Sequence, residues 1–133
     1  MGIGQTSVVE KFDETEVMQS FTDLEAWKCG IELLKEIRAI SKTFPKTEHD
    51  IVDQLHRSVQ SILLNTAEGF GRFGPADKAN KYTIARGECT EAEAAILIVV
   101  ALNLVTPQRA GRALLLARQT GRLLSGLVST FRK

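Results

Sequence analysis

Three glycines in the stretch NTAEGFGRFGPADKAN, Gly69, Gly71 and Gly74, have the G-x-G-x-x-G spacing of a dinucleotide phosphate cradle. Such a cradle works only where a strand leads into the glycines and a helix opens on them, because the pyrophosphate rests on that helix's free N–H groups. Here a long helical pattern comes first and nothing signals a parallel sheet, so the three residues read as a corner between helices. In that reading Gly69 and Gly71 permit close helix approach and chain reversal, and Gly74 leads into Pro75 at the next helix start. His49, Asp53 and His56 offer a second chemistry, since their i, i+4, i+7 spacing sets them on one side of a helix as a metal site requires. They stand away from the apolar stripe of Val52, Leu55 and Val59, and no cysteine or third histidine completes a shell. A solvated face is expected there, with no metal and no other cofactor. No serine or cysteine sits beside a histidine in a triad pattern, so no catalytic residue is assigned and the chain is expected not to be an enzyme.

The third chemistry is cationic. Residues 107–133 hold six bases and no acid: Arg109, Arg112, Arg118, Arg122, Arg132 and Lys133. Arg118 and Arg122 are i, i+4 neighbours, and clustered arginines read as a stripe for the phosphates of RNA or DNA. Two features oppose that reading. The chain as a whole carries a formal charge of only +1, and residues 1–25 hold six acids against one base, enough to cover the basic end.

The elements that must position these groups follow from the hydrophobic pattern. With 133 residues, 44% of them hydrophobic, the chain supports one domain with a real core. Residues 1–21 are polar and acidic without sustained periodicity and read as a flexible arm, and residues 22–133 form the folded domain. Thr22 and Glu25 have capping-box spacing, after which Leu24, Trp27, Ile31, Leu34, Ile37, Ile40 and Phe44 recur every three or four residues. Thr47 caps a second helix with Val52, Leu55, Val59, Ile62 and Thr66 inward. Pro75 opens a third, whose seam of Tyr82, Ala85, Cys89, Ala92, Ile96 and Val99 runs on to about Val105. Thr106 and Pro107 start a fourth, with Ala110, Leu114, Ala117, Gly121, Leu124, Val128 and Phe131 inward. The pattern predicts an all-α, antiparallel up-down-up-down four-helix bundle.

Cys29 and Cys89 lie within apolar helical patterns, which fits buried thiols in a reducing compartment. The acidic N-terminal stretch lacks the basic start and apolar run of a signal peptide, and the longest apolar run, AAILIVVAL, is too short to span a membrane. A cytoplasmic protein without membrane contact is expected. That same run makes the third helix apolar on every side, more than one small bundle can bury. A closed homo-oligomer with Ile96, Leu97, Ile98 and Val100 at the interface is the economical explanation. If the second and third helices run antiparallel about residue 73, Arg57 comes near Glu91, Asn65 near Tyr82 and Ser61 near Arg86. Glu68, Arg72 and Arg86 then either specify the bundle or gather as a ligand cluster, and bundle specification is the expectation.

DLEAWKCGIELLKEI, QLHRSVQSILLNTAEGFGR and IARGECTEAEA together resemble the four-helix-bundle family encoded in intervening sequences of bacterial 23S ribosomal RNA genes. The most specific piece is N-x-A-E-G-x-G-R followed by I-A-R-G and an acid, which falls on Asn65, Ala67, Glu68, Gly69, Gly71, Arg72, Ile84, Ala85, Arg86, Gly87 and Glu91. Leu63, Lys78 and Lys81 depart from the proline and aromatics that such sequences usually carry there. The resemblance implies a ring-like homopentamer. Through more distant likeness to Avd, the accessory protein of diversity-generating retroelements, it also implies a basic surface for RNA or DNA and a reverse transcriptase or other protein as partner. An oligomeric module for protein partners alone is the alternative.

Overall fold

A computed structural model describes residues 20–132, and among these every regular element is helical. The four long helices are α1 (Glu25–Ser41), α2 (His49–Gly71), α3 (Pro75–Ala101) and α4 (Pro107–Phe131), with short 3-10 turns at Phe21–Asp23 and Lys46–Glu48. Both α1 and α3 pack against α2 and α4, so four seams enclose one core. The N-terminal arm up to residue 19, and Lys133, lie outside the described residues.

The helix starts divide by the chemistry available. At α4 the Thr106 hydroxyl accepts the Arg109 backbone N–H at 3.1 Å with Pro107 behind it, as the sequence predicts, and Pro75 likewise opens α3. The expected Thr22–Glu25 box does not form. Ser20 and Asp23 make the capping box instead, closing the 3-10 turn, and α1 begins after Leu24 without a side-chain cap. Thr47 is spent in the second 3-10 turn, so α2 also starts uncapped by a side chain. Helix α3 stops at Ala101, short of the expected Val105. Asn103 takes a left-handed φ of 61°, and the Leu104 and Asn103 N–H groups bond back to the carbonyls of Val99 and Val100. That is the Schellman closure, with asparagine in the place glycine usually takes.

All six seam residues of α3, from Tyr82 to Val99, are buried. In α1 the buried stripe is turned by one position, to Ala26, Gly30, Leu33, Ile37 and Ile40, leaving Trp27, Ile31 and Leu34 half-buried at its margin. The small residues cause the rotation. A Cβ on Gly30 would stand 2.8 Å from Leu63 Cδ2, so α1 meets α2 where it has least bulk. Leu63 fills that hollow. Thr66 and Thr120 are fully buried, and their hydroxyls donate to the carbonyls four residues back, Ile62 at 2.6 Å and Leu116 at 2.7 Å. Each long aliphatic side chain buried in this core contributes about 1.5–3 kcal/mol against the entropy of folding.

Candidate functional site

The glycine corner is structural. Gly69 lies under the Tyr82 ring, where a Cβ would come within 2.6 Å of Cε1. Gly71 differs from expectation: it has open space around it, a negative φ, and ends α2 without any close approach. Gly74 is the N-cap of α3 and also open. Lys78 then holds the corner, donating to the carbonyls of Gly69 at 3.3 Å and Phe70 at 2.7 Å while its ammonium lies over the Phe70 and Phe131 rings. These are C-terminal carbonyls of α2, of which Gly69 also accepts the Arg72 N–H, and a cation there meets the negative end of the helix dipole. A helix end and not a strand leads into these glycines, so the arrangement a dinucleotide cradle requires is not formed.

Glu68 and Arg72 do share the corner, with Glu68 at 2.8 Å from Lys81 and 4.0 Å from Arg72. The hydrogen bond and charge of Lys81 hold the Glu68 carboxyl below its ordinary value. Arg86 does not join them. Asn65 donates to the Ser61 carbonyl and hydroxyl within its own helix, and Arg57 reaches Glu91 only through Gln54. Facing positions on α2 and α3 come close to those expected, but the predicted Ser61–Arg86 pairing is replaced by a contact on the other side of α3.

Helix geometry explains that replacement. Arg86, Thr90 and Glu93 recur at i, i+4, i+7 on α3, and Arg118, Arg122 and Ser125 do the same on α4. The two rows meet. Arg86 donates through Nε to the Ser125 hydroxyl at 2.9 Å and through Nη1 to the Thr90 hydroxyl at 3.0 Å, and Arg118 Nε donates to Glu93 at 2.8 Å. Between them lies a cleft of about 190 Å³, floored by Cys89 and Gly121. Burial pushes the Cys89 thiol up to about 12 despite the neighbouring Arg86 charge. A thiol held that high stays protonated at neutral pH, which leaves a neutral floor rather than a nucleophile.

The basic residues of α4 do not form one stripe. Arg109 and Arg112 lie along the α1 seam, paired with Glu36 and with Glu32 at 3.6 Å. Arg118, Arg122 and Arg132 lie along the α3 seam, Arg132 donating to Thr83 at 3.0 Å. The reason is angular: positions 109 and 112 fall on the opposite flank of the α4 core stripe from 118 and 122. Among the described residues Arg122 is the α4 arginine with no protein partner.

The His49, Asp53, His56 triplet does not gather. His49 pairs with Asp50 at 3.0 Å, the His56 Nδ1 sits 2.8 Å from the Val52 carbonyl, and no cluster of metal-ligand side chains occurs among the described residues. The expected interface residues separate too. Ile96 belongs to the protomer's own core with no exposed surface, because it continues the α3 seam, and Val100 is half-buried against that core. Leu97 and Ile98 are exposed at 45% and 47%. Leu64, Ile84 and Leu102 are exposed as well, and no helix among the described residues is long and apolar enough to cross a membrane.

The chain matches the 23S rRNA-intervening sequence protein family over residues 22–126 and belongs to it. Among solved structures it is similar to a protein of unknown function from the S23 ribosomal protein family of Bacteroides thetaiotaomicron. That likeness covers 77% of this chain and 97% of the other, with a TM-score of 0.70 at 22% identity, and shows the shared fold. No curated protein matches the chain.

Proposed function

We propose that the protein is a non-enzymatic, cytoplasmic scaffold: an antiparallel bundle that closes into a ring-like homo-oligomer, a pentamer by family resemblance, and contacts RNA or DNA through arginines. The antiparallel reading is supported by paired residues whose numbers run in opposite directions, Glu68 with Lys81 and Gln54 with Glu91, then Arg86 with Ser125 and Glu93 with Arg118. The observation that carries self-assembly is on α3, where Ile84, Leu97, Ile98 and Leu102 stay exposed although α3 has already filled its core seam. Large apolar side chains left facing water on one helix point to an interface. Light scattering tests this: the unmodified chain should have an oligomeric mass, and Ile98→Asp should reduce it, because an unpaired charge in a dry interface is costly. A monomeric mass for the unmodified protein ends the proposal.

The nucleic-acid half draws on Arg86, Arg118, Arg122 and Arg132 along one seam, multiplied by symmetry. An oligomeric module for protein partners is the second reading, favoured by the carboxylates that already neutralise Arg109, Arg112 and Arg118. A reverse transcriptase or another protein is the partner to seek under either reading. Binding of the purified oligomer to RNA and DNA over a salt series separates the two, since phosphate contacts weaken steeply as salt rises.

A further inference from the structure

The cleft between α3 and α4 has the ingredients of an anion site, and their arrangement narrows what the anion is. Three guanidinium groups, Arg86, Arg118 and Arg122, line it against one carboxylate, Glu93, leaving a local excess of two positive charges. Each arginine retains donors. Arg86 spends two of its five N–H groups on Ser125 and Thr90, Arg118 spends Nε on Glu93, and Arg122 spends none on the described residues. Thr90 accepts from Arg86, which leaves its own O–H free to donate. The internal bonds matter as much as the free donors, because they fix two of the three guanidinium planes before any ligand arrives.

Size decides between ligand classes. A cleft of about 190 Å³ is smaller than the roughly 300–1,000 Å³ of pockets that enclose cofactors and drug-sized molecules, so it holds a group rather than a whole nucleotide. Forked arginine donors match the oxygens of a phosphate in paired hydrogen bonds. The Cys89 thiol stays neutral beneath, and the missing side chain of Gly121 keeps the space open, its nearest would-be Cβ contacts being Cys89 at 3.6 Å and Arg86 at 3.7 Å.

We propose that this cleft seats one phosphate group, held by Arg122 and the free donors of Arg86, Arg118 and Thr90. The site deepens the nucleic-acid reading and rests on it only for the source of the phosphate, which is either a nucleic-acid backbone or a free phosphate. Arg122 is the residue to remove, because among the described residues it makes no hydrogen bond or ion pair that folding would lose. The purified full chain and two variants, Arg122→Gln in the cleft and Arg112→Gln on the α1 seam, are titrated with inorganic phosphate and with an oligouridylate. Phosphate is followed by NMR of the arginine Nε–H groups, and the RNA by fluorescence anisotropy. Arg122→Gln should weaken whichever probe binds by about tenfold or more, the loss expected for a charge-assisted hydrogen bond, while Arg112→Gln changes it by less than about twofold. Phosphate binding through Arg122 without any RNA binding at low salt keeps the cleft and overturns the nucleic-acid reading. RNA binding that depends on Arg122, with or without phosphate binding, supports both. RNA binding weakened equally by the two substitutions, or by neither, overturns the cleft and leaves a diffuse field. Binding of neither probe overturns the cleft and the nucleic-acid reading together.

Discussion

The two seams that α3 makes, with α2 on one flank and α4 on the other, each contain a glycine facing the neighbouring helix, and they use it in opposite ways. At the α2/α3 seam the space above Gly69 is filled by the Tyr82 ring, itself 1% exposed. At the α3/α4 seam the space beside Gly121 is left open and ringed with arginines. Two glycines are alike in sequence; what differs is the size of the residue across the seam, tyrosine in one case and cysteine in the other. A filled hollow ties two helices together. An open one, lined with charged donors that folding does not consume, is available for a ligand.

The largest effect expected from breaking this comparison is at Gly69. In Gly69→Ala the new methyl would lie 2.6 Å and 2.8 Å from two atoms of a rigid buried ring, so ring or helix must move. Overpacking of this kind costs about 2–3 kcal/mol, which for a domain of this size lowers Tm by roughly 10 °C. Thermal melts followed by circular dichroism measure it, and Gly69→Ala with Tyr82→Leu should regain part of the loss relative to Tyr82→Leu alone. An unchanged Tm for Gly69→Ala removes the close-packing account of this seam.

At Gly121 the same substitution should have the opposite sign and a smaller size. An alanine there makes ordinary contacts at 3.6 and 3.7 Å and sits inside a helix, where replacing glycine gains up to about 1 kcal/mol. Gly121→Ala should therefore raise Tm slightly while narrowing the cleft. Gly71→Ala, at the open end of α2, should be close to neutral or mildly stabilising, and a loss comparable to that of Gly69→Ala would show that the two corner glycines act alike after all.

How legible these seams are in the sequence depends on which physical signal carries them. The α3 core stripe is plain because large and small apolar residues alternate at steps of three and four, and all six positions are buried as predicted. The rotation of α1 is hidden because periodicity weights bulk, whereas closest approach is set by Ala26 and Gly30, which carry none. The capping residues near Ser20 and Thr47 mislead for a related reason, since several adjacent side chains can cap and a 3-10 turn selects among them. The basic residues of α4 are plain in the sequence but their line is not, because charge counts ignore that positions 109 and 118 fall on different flanks. The cleft is not legible in either helix alone, because the matched i, i+4, i+7 rows on α3 and α4 define it only when the two helices face each other. Assembly and ligand are written in neither row, because they depend on molecules outside the chain.

The smallest effect belongs to the polar rim of the filled seam, where Glu68 meets Lys81. Lys81 first by its hydrogen bond and then by its charge holds the Glu68 carboxyl below its ordinary value of 4.5, with a lesser push from Arg72. A carboxyl lowered in the folded state contributes stability above its unfolded value and loses it as pH falls through the folded one. Lys81→Gln removes most of that lowering, so the stability difference between wild type and variant should be present at neutral pH and fade as pH drops below 4.5. Comparing the two proteins is necessary because Glu88 titrates in the same acid range with the opposite sign. Its carboxyl is raised, by burial first and Glu91 second, so its contribution is present at low pH and lost as pH rises. Glu88 is common to both proteins and cancels in the difference. Both carboxylates are solvent-facing enough that the effect is a modest tilt in urea midpoints against pH, erased by salt as an exposed pair should be. A difference between wild type and Lys81→Gln that stays constant from neutral pH into acid would assign Lys81 to packing of its alkyl stem against α2 and leave Tyr82 over Gly69 as the tie of that seam.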